Sequence, residues 1–208
     1  MVQFIQAQKV SLNYLEERFQ LQQANNEDFF DEWLDNLPEN TDSEKINLDL
    51  VKTRFLRLIK RPPLLENAVK LVVLSPLLSL AGFYDEPFFL KTEDSIVISI
   101  EDKDEIIRGR IDILVLQQQF WLLLIESKQA SFSLVEGIPQ ALTYMLANPY
   151  PEKPVFGLVT NGEDFQFIKL VKQELPIYDL SDKFTLSRRE NELYKVLAIL
   201  KKLGQLVI

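Results

Sequence analysis

Three charged side chains sit inside or at the end of two of the most apolar stretches of the chain. Asp112 lies within GRIDILVL, and Glu126 and Lys128 close FWLLLIESK, where six apolar residues run into the glutamate. Both stretches are rich in β-branched and aromatic residues and read as strands. Side chains alternate along a strand, so Glu126 and Lys128 point the same way. By the same alternation Arg110, Asp112, Leu114 and Leu116 share one face, and Ile111, Ile113 and Val115 the other. A carboxylate flanked by isoleucines is costly to bury unpaired. Gln117 to Gln119 supply a tight turn, and a hairpin centred on Gln118 sets Asp112 opposite Leu124 and diagonal to Glu126. Two carboxylates at that range repel unless a cation lies between them. A divalent ion with hard oxygen ligands, such as Mg²⁺, meets that need. A lysine beside such an ion and a phosphate can orient or deprotonate water and stabilise developing charge.

The absences narrow the chemistry further. The 208 residues contain no His and no Cys, which excludes thiol nucleophiles, Ser-His pairs and ordinary zinc sites. Glycine is scarce, at six, and no phosphate-loop or dinucleotide-binding glycine pattern occurs. Catalysis is left to carboxylates, lysine, hydroxyls or a metal held by oxygen. Apolar residues make up 47 %, so the chain is expected to be globular. Apolar runs stop well short of a bilayer's thickness, and the start lacks the order of a signal peptide, so a cytoplasmic protein is expected.

The elements that must position these residues follow from periodicity. The first sixty residues read as helical: QKVSLNYLEERFQLQQ, then NEDFFDEWLDNLP with Asn26 as cap, then TDSEKINLDLVKTRFLRLIKR with Asp42 or Ser43 as cap. A further helix runs from about Pro63 to Leu80, kinked or divided at Pro76 and closed by Gly82. Strands follow over Asp94–Ile100 and Ile106–Leu116, joined by the charged turn EDKDE, and then the strand ending in Glu126. SLVEGIPQALTYMLAN is a helix with Pro139 near its first turns; KPVFGLVTNG and EDFQFIKLVK are strands; SRRENELYKVLAILKKLGQ is a closing helix. The order implies an α/β fold with a mixed sheet flanked by helices.

This constellation resembles the PD-(D/E)xK nuclease superfamily, in the form RIDILVLQQQFWLLLIESK. It is most similar to the nuclease domain at the N-terminus of the motor (R) subunits of type I restriction enzymes. That subgroup carries a Q-x-x-x-Y element after the lysine, matched here by QALTY, Gln140 to Tyr144. The following strand-turn-strand is matched by GLVTNGEDFQFIKL, and a glutamate on a preceding helix by Glu66. The resemblance spans about Pro62 to Leu170; the position before Asp112, proline in the family, is Ile111. It implies a restriction-endonuclease-like core over 62–208 behind a helical extension over 1–61. It implies Mg²⁺, replaceable by Mn²⁺, held by Asp112, Glu126, the Ser127 carbonyl and Glu66. Lys128 would act on the attacking water, and Gln140 and Tyr144 would position substrate or the lysine. The implied activity is metal-dependent DNA endonuclease or exonuclease cleavage. The alternative is the same fold kept as an inactive DNA- or protein-interaction module. No helicase motif occurs in these residues, so the expected partners besides DNA are a second copy or separate motor or specificity subunits.

Charge is unevenly placed. Between Asn26 and Glu44 stand eight acids and no base, equal to the net charge of −8. KTRFLRLIKR follows with five positive charges, of which Arg54, Arg57 and Arg61 fall on one helical stripe. That stripe reads either as a solvated helix face or as a phosphate-contacting surface. The acidic segment reads either as a solvated helix or as an internal cover for the stripe.

Overall fold

The computed structural model describes residues 3–100, 105–172 and 174–206, as an α/β fold built on a mixed eight-stranded sheet. The turn expected at EDKDE lies, except for Glu105, outside the described residues. Strands β1 (Gln3–Gln6), β2 (Gln22–Gln23), β3 (Phe88–Ile100), β4 (Glu105–Gln117), β5 (Phe120–Ser127), β6 (Val155–Thr160), β7 (Asp164–Lys172) and β8 (Pro176–Thr185) run in the order β1-β4-β5-β6-β7-β8-β2, with β3 also on β4. β3–β4–β5 is an antiparallel meander; β5 and β6 are parallel across α5 (Leu134–Leu146); β6–β7–β8 is again antiparallel.

Two apolar layers cover the sheet. On one face α2 (Asp42–Leu58), α3 (Glu66–Val69), α4 (Ser75–Leu80) and α6 (Leu193–Gly204) pack on Ile113, Val115, Leu123, Ile125, Phe156 and Phe167. On the other, α1 (Leu12–Phe19) and α5 pack on Leu114, Leu124, Val159, Ile168 and Leu170. β6 is buried along its whole length, as a central strand with helices on both faces must be.

Several expectations are corrected. The first sixty-one residues are not all helical: β1 joins β4 and β2 joins β8, both parallel. NEDFFDEWLDNLP forms only a 3₁₀ turn over Glu27–Phe30. Its five acids have no basic partner a turn away to offset their repulsion, and Phe29, Phe30, Trp33 and Leu37 all turn into one core. α2 is capped by Thr41, in a capping box with Glu44, rather than by Asp42 or Ser43. β8 was not anticipated, because Asp179, Ser181 and Asp182 break its apolar alternation. β3 begins at Phe88 rather than Asp94.

The helix before the sheet starts at Glu66, and its middle, Lys70–Leu74, is a π turn running into α4. Pro76 supplies the reason: it cannot donate to the Val72 carbonyl, and its ring crowds that oxygen, so the turn widens. Gly82, at φ 80°, ends the segment as expected.

The β4–β5 hairpin turns through Gln118 and Gln119, with Gln118 at φ 56°. Its register differs from the expected one. Gln117 pairs with Phe120, but a bulge shifts the ladder so that Leu114 pairs with Leu124 and Ile113 with Ile125. The turn, centred between Gln118 and Gln119, and the bulge each move the ladder one place, and together they carry Asp112 two places along β5, from opposite Leu124 to level with Glu126. Alternation along β4 also breaks at Asp112: Ile111 packs with Leu114 and Leu116, whereas Ile113 and Val115 pack in the other core.

β4 has three partners and only two edges. β3 takes one edge from end to end. β1 pairs with Glu105–Arg108 and β5 with Ile113–Gln117, so they share the other edge end to end. Between them, on that edge, Gly109 to Asp112 have no strand beside them. This notch in the sheet is where the charged residues gather.

Candidate active site

Asp112 stands at the notch's β5 end. Its Oδ2 accepts from the Ser127 amide (2.8 Å) and hydroxyl (3.2 Å), which ties the two strands where the ladder stops. Glu126 is buried, and one oxygen accepts from Lys128 Nζ at 2.7 Å. Its other oxygen, Oε2, is buried with no hydrogen-bond partner. Burial pushes the Glu126 pKa up to about 8, with the Asp112 charge adding to the effect and Lys128 opposing it. Desolvation therefore outweighs the ion pair, although the contact is short.

Lys128 follows directly on β5. Its amide donates to the Thr160 carbonyl (2.8 Å), and its ammonium donates to Gln140 Oε1 at 2.7 Å as well as to Glu126. Gln140 Nε2 donates to the Tyr144 hydroxyl at 2.8 Å, and that hydroxyl also accepts from the Arg110 amide at 3.3 Å. The amide orientation is forced. An ammonium can only donate, so the Gln140 oxygen must face it and the nitrogen must face Tyr144. Tyr144 also fills the notch. Gly109 lies against the tyrosine ring so closely that a Cβ there would overlap it. Burial and the Glu126 charge raise the Tyr144 pKa to about 12, so the phenol stays protonated. The expected spacing of Gln140 and Tyr144, one helical turn apart on α5, delivers both to one place. Pro139 lies inside this helix at its sixth residue, near the first turns as expected.

The turn Thr160–Gly162 does more than join two strands. Asn161 Nδ2 donates to the Phe132 carbonyl (2.9 Å), while its oxygen accepts from the amides of Glu163 and Asp164. It thereby anchors the loop that leaves Lys128 for α5.

One participant was missed. Lys70, the first residue of the π turn, places Nζ 2.7 Å from Glu66 Oε1 and 2.9 Å from Asp112 Oδ1. Burial acts to lower its pKa, but hydrogen bonds and charge from Glu66 and Asp112 prevail and hold it above the usual lysine range. The i, i+4 spacing from Glu66 is the sequence signal that could have found it.

A cleft of about 750 Å³ opens over this group, lined by Lys9, Glu66, Lys128, Phe132, Glu136 and Gln140 among others. It adjoins a second hollow of about 490 Å³, whose lining includes Arg108, Arg110, Asp112, Glu126 and Tyr144. Arg54, Arg57 and Arg61 line neither. Arg61 lies past the end of α2, so the expected stripe keeps only two residues on the helix. The acidic segment does not cover it in the contacts formed: Glu32 pairs with Lys169 (2.6 Å) and Glu44 with Lys201 (3.0 Å).

Among the described residues no group of three or more acids is arranged to hold a metal ion alone. The donors present still suit a hard divalent cation: they are all oxygen, and Glu126 Oε2 is a buried acceptor without a partner. No helix among the described residues is long and apolar enough to cross a membrane. The chain matches no protein-family model and no curated protein.

Proposed function

We propose that the protein is a metal-dependent DNA nuclease with a restriction-endonuclease-like core, acting in the cytoplasm. The observation that carries this reading is the chain Glu126–Lys128–Gln140–Tyr144 laid beside Asp112 at a break in the sheet. Asp112, Glu126 and the Ser127 carbonyl would hold the ion, with Glu66 reaching it through water. When bound, Mg²⁺ or Mn²⁺ would polarise the scissile phosphate and acidify a bound water. Lys128 has three N–H directions, and Glu126 and Gln140 take two. The third is free for the attacking water or a phosphate oxygen. Gln140 holds the ammonium without adding charge, and Tyr144 locks the amide. Burial of Glu126 and Gln140 lowers the local dielectric, which strengthens each of these interactions.

The experiment is incubation of purified protein with plasmid and single-stranded DNA under Mg²⁺, Mn²⁺ or EDTA. Cleavage is expected with either ion, none in EDTA, and none in Asp112→Ala, Glu126→Gln or Lys128→Ala variants shown to be folded by circular dichroism. Cleavage surviving in all three variants would place the active site elsewhere.

A second reading, an inactive interaction module for DNA or protein, is favoured by one observation. Each of Glu66, Asp112 and Glu126 already has a lysine partner, Lys70 for the first two and Lys128 for the third, without any ion. DNA binding without cleavage under every divalent ion would decide for it. A second copy or separate motor or specificity subunits remain the proposed partners, read out by light scattering alone and with DNA.

A further inference from the structure

Lys70 has no part in the cleavage chemistry above, yet it holds two of the site's three carboxylates. Its ammonium lies 2.7 Å from Glu66 Oε1 and 2.9 Å from Asp112 Oδ1, and its side chain is only 20 % exposed. The contact is therefore not a loose surface pair. It is built by the backbone: the π turn begins at Lys70, and Glu66 stands one turn before it. Asp112 has only one oxygen to offer, because Oδ2 is already taken by the Ser127 amide and hydroxyl. A divalent ion on Oδ1 would sit roughly 2.0–2.6 Å from it. With the ammonium still in place, two cations would share one carboxylate oxygen within a few ångströms, in a partly dry site where charges interact strongly. The ammonium and the ion therefore compete for Oδ1.

We propose that Lys70 is a resident counter-cation: it holds Asp112 and Glu66 when no metal is bound, and a divalent ion gains Asp112 only by displacing it. The inference rests on the metal-site reading of Asp112 and Glu126. It makes Lys70 a positioning residue that sets how tightly the site takes its ion. Without Lys70 the acids would repel one another, and the ion would bind with no competitor.

The test is Mn²⁺ binding to the full chain without DNA, by calorimetry and by the electron paramagnetic resonance signal of free Mn²⁺. Wild type is compared with Lys70→Met, which keeps an unbranched side chain one atom shorter and removes its charge. Lys70→Met is expected to bind Mn²⁺ at least tenfold more tightly. Its melting temperature in EDTA should fall below that of wild type, and saturating Mn²⁺ should raise it by more than it raises wild type. Adding Asp112→Asn should remove the gain. If Lys70→Met does not fold, Lys70→Met with Glu66→Gln, which removes one charge of each sign, is titrated in its place with the same expectation. An affinity that is unchanged or weaker overturns the proposal. If wild type cleaves DNA with Mg²⁺ and the affinity is still unchanged, only the role of Lys70 falls. If neither protein binds Mn²⁺ and wild type cleaves nothing, the metal-site reading falls with it.

Discussion

Replacing Gln140 tests the site's internal wiring with or without a substrate in hand. The buried amide makes one hydrogen bond to a charged partner, Lys128, and one to a neutral one, Tyr144. Bonds of the first kind contribute about 1.5–3 kcal/mol and of the second about 0.5–1.5 kcal/mol, so losing both should cost roughly 2–4 kcal/mol. At about 2–4 °C per kcal/mol for a chain of this size, Gln140→Met, which keeps the volume, should melt roughly 4–16 °C lower. Gln140→Glu still accepts from Lys128 and, when ionised, can only accept from the Tyr144 hydroxyl, while it adds a second acid beside the buried Glu126. It should therefore melt between wild type and Gln140→Met. Turnover in either variant should drop tenfold or more, on the order of 1.4 kcal/mol in the barrier, while Mn²⁺ affinity changes little in Gln140→Met. Melts within about 1 °C of wild type for both variants, with unchanged turnover, would refute the reasoning from amide to lysine.

Three further outcomes follow from named contacts. Glu126 is an acid whose folded pKa stands at about 8, above its ordinary value, so between roughly pH 5 and pH 8 the folded state holds a proton that the unfolded state has lost. Stability in EDTA should therefore fall as pH rises through that window, and Glu126→Gln should flatten the dependence in melts taken at stepped pH. Gly109→Ala drives a methyl into the Tyr144 ring and should cost about 1–3 kcal/mol by denaturant unfolding, with Gly109→Ala/Tyr144→Leu recovering part of it. Lys9→Gln with Arg108→Gln removes one cation from the cleft and one from the adjoining hollow and should reduce the log–log salt slope of DNA binding by roughly two, whereas Arg54→Gln with Arg57→Gln, in neither, should leave the slope unchanged.

Much of the site was legible because its residues announce themselves locally. A carboxylate among isoleucines, an acid and a base two apart at the end of a buried strand, and Gln and Tyr one turn apart on a helix are all short-range patterns. Their meeting at 2.7–2.8 Å needed only the strand-helix order to be right. What could not be read was long-range or irregular. Lys70 looks like any solvated helix lysine until the π turn aims it at Asp112, 42 residues on. The hairpin register turned on the centre of the turn and on one bulge, neither of which a residue type marks. β1 and β2 are too short, at four and two residues, to show a period. The acidic stretch misled because its capping pattern is local, whereas the pull of its aromatic residues into the core is not.

The notch beside β4 has a cost that any attempt to improve the protein would meet. Extending β1 past Gln6 along β4 would satisfy more backbone groups and give a more regular sheet, but it would fill the space now held by Tyr144 and closed at one end by Asp112. Regularity and access compete for the same four residues. Directed evolution for heat resistance alone should therefore drift toward sealing this gap, and evolutionary pressure to keep it open would mark the irregularity itself as the trait under selection.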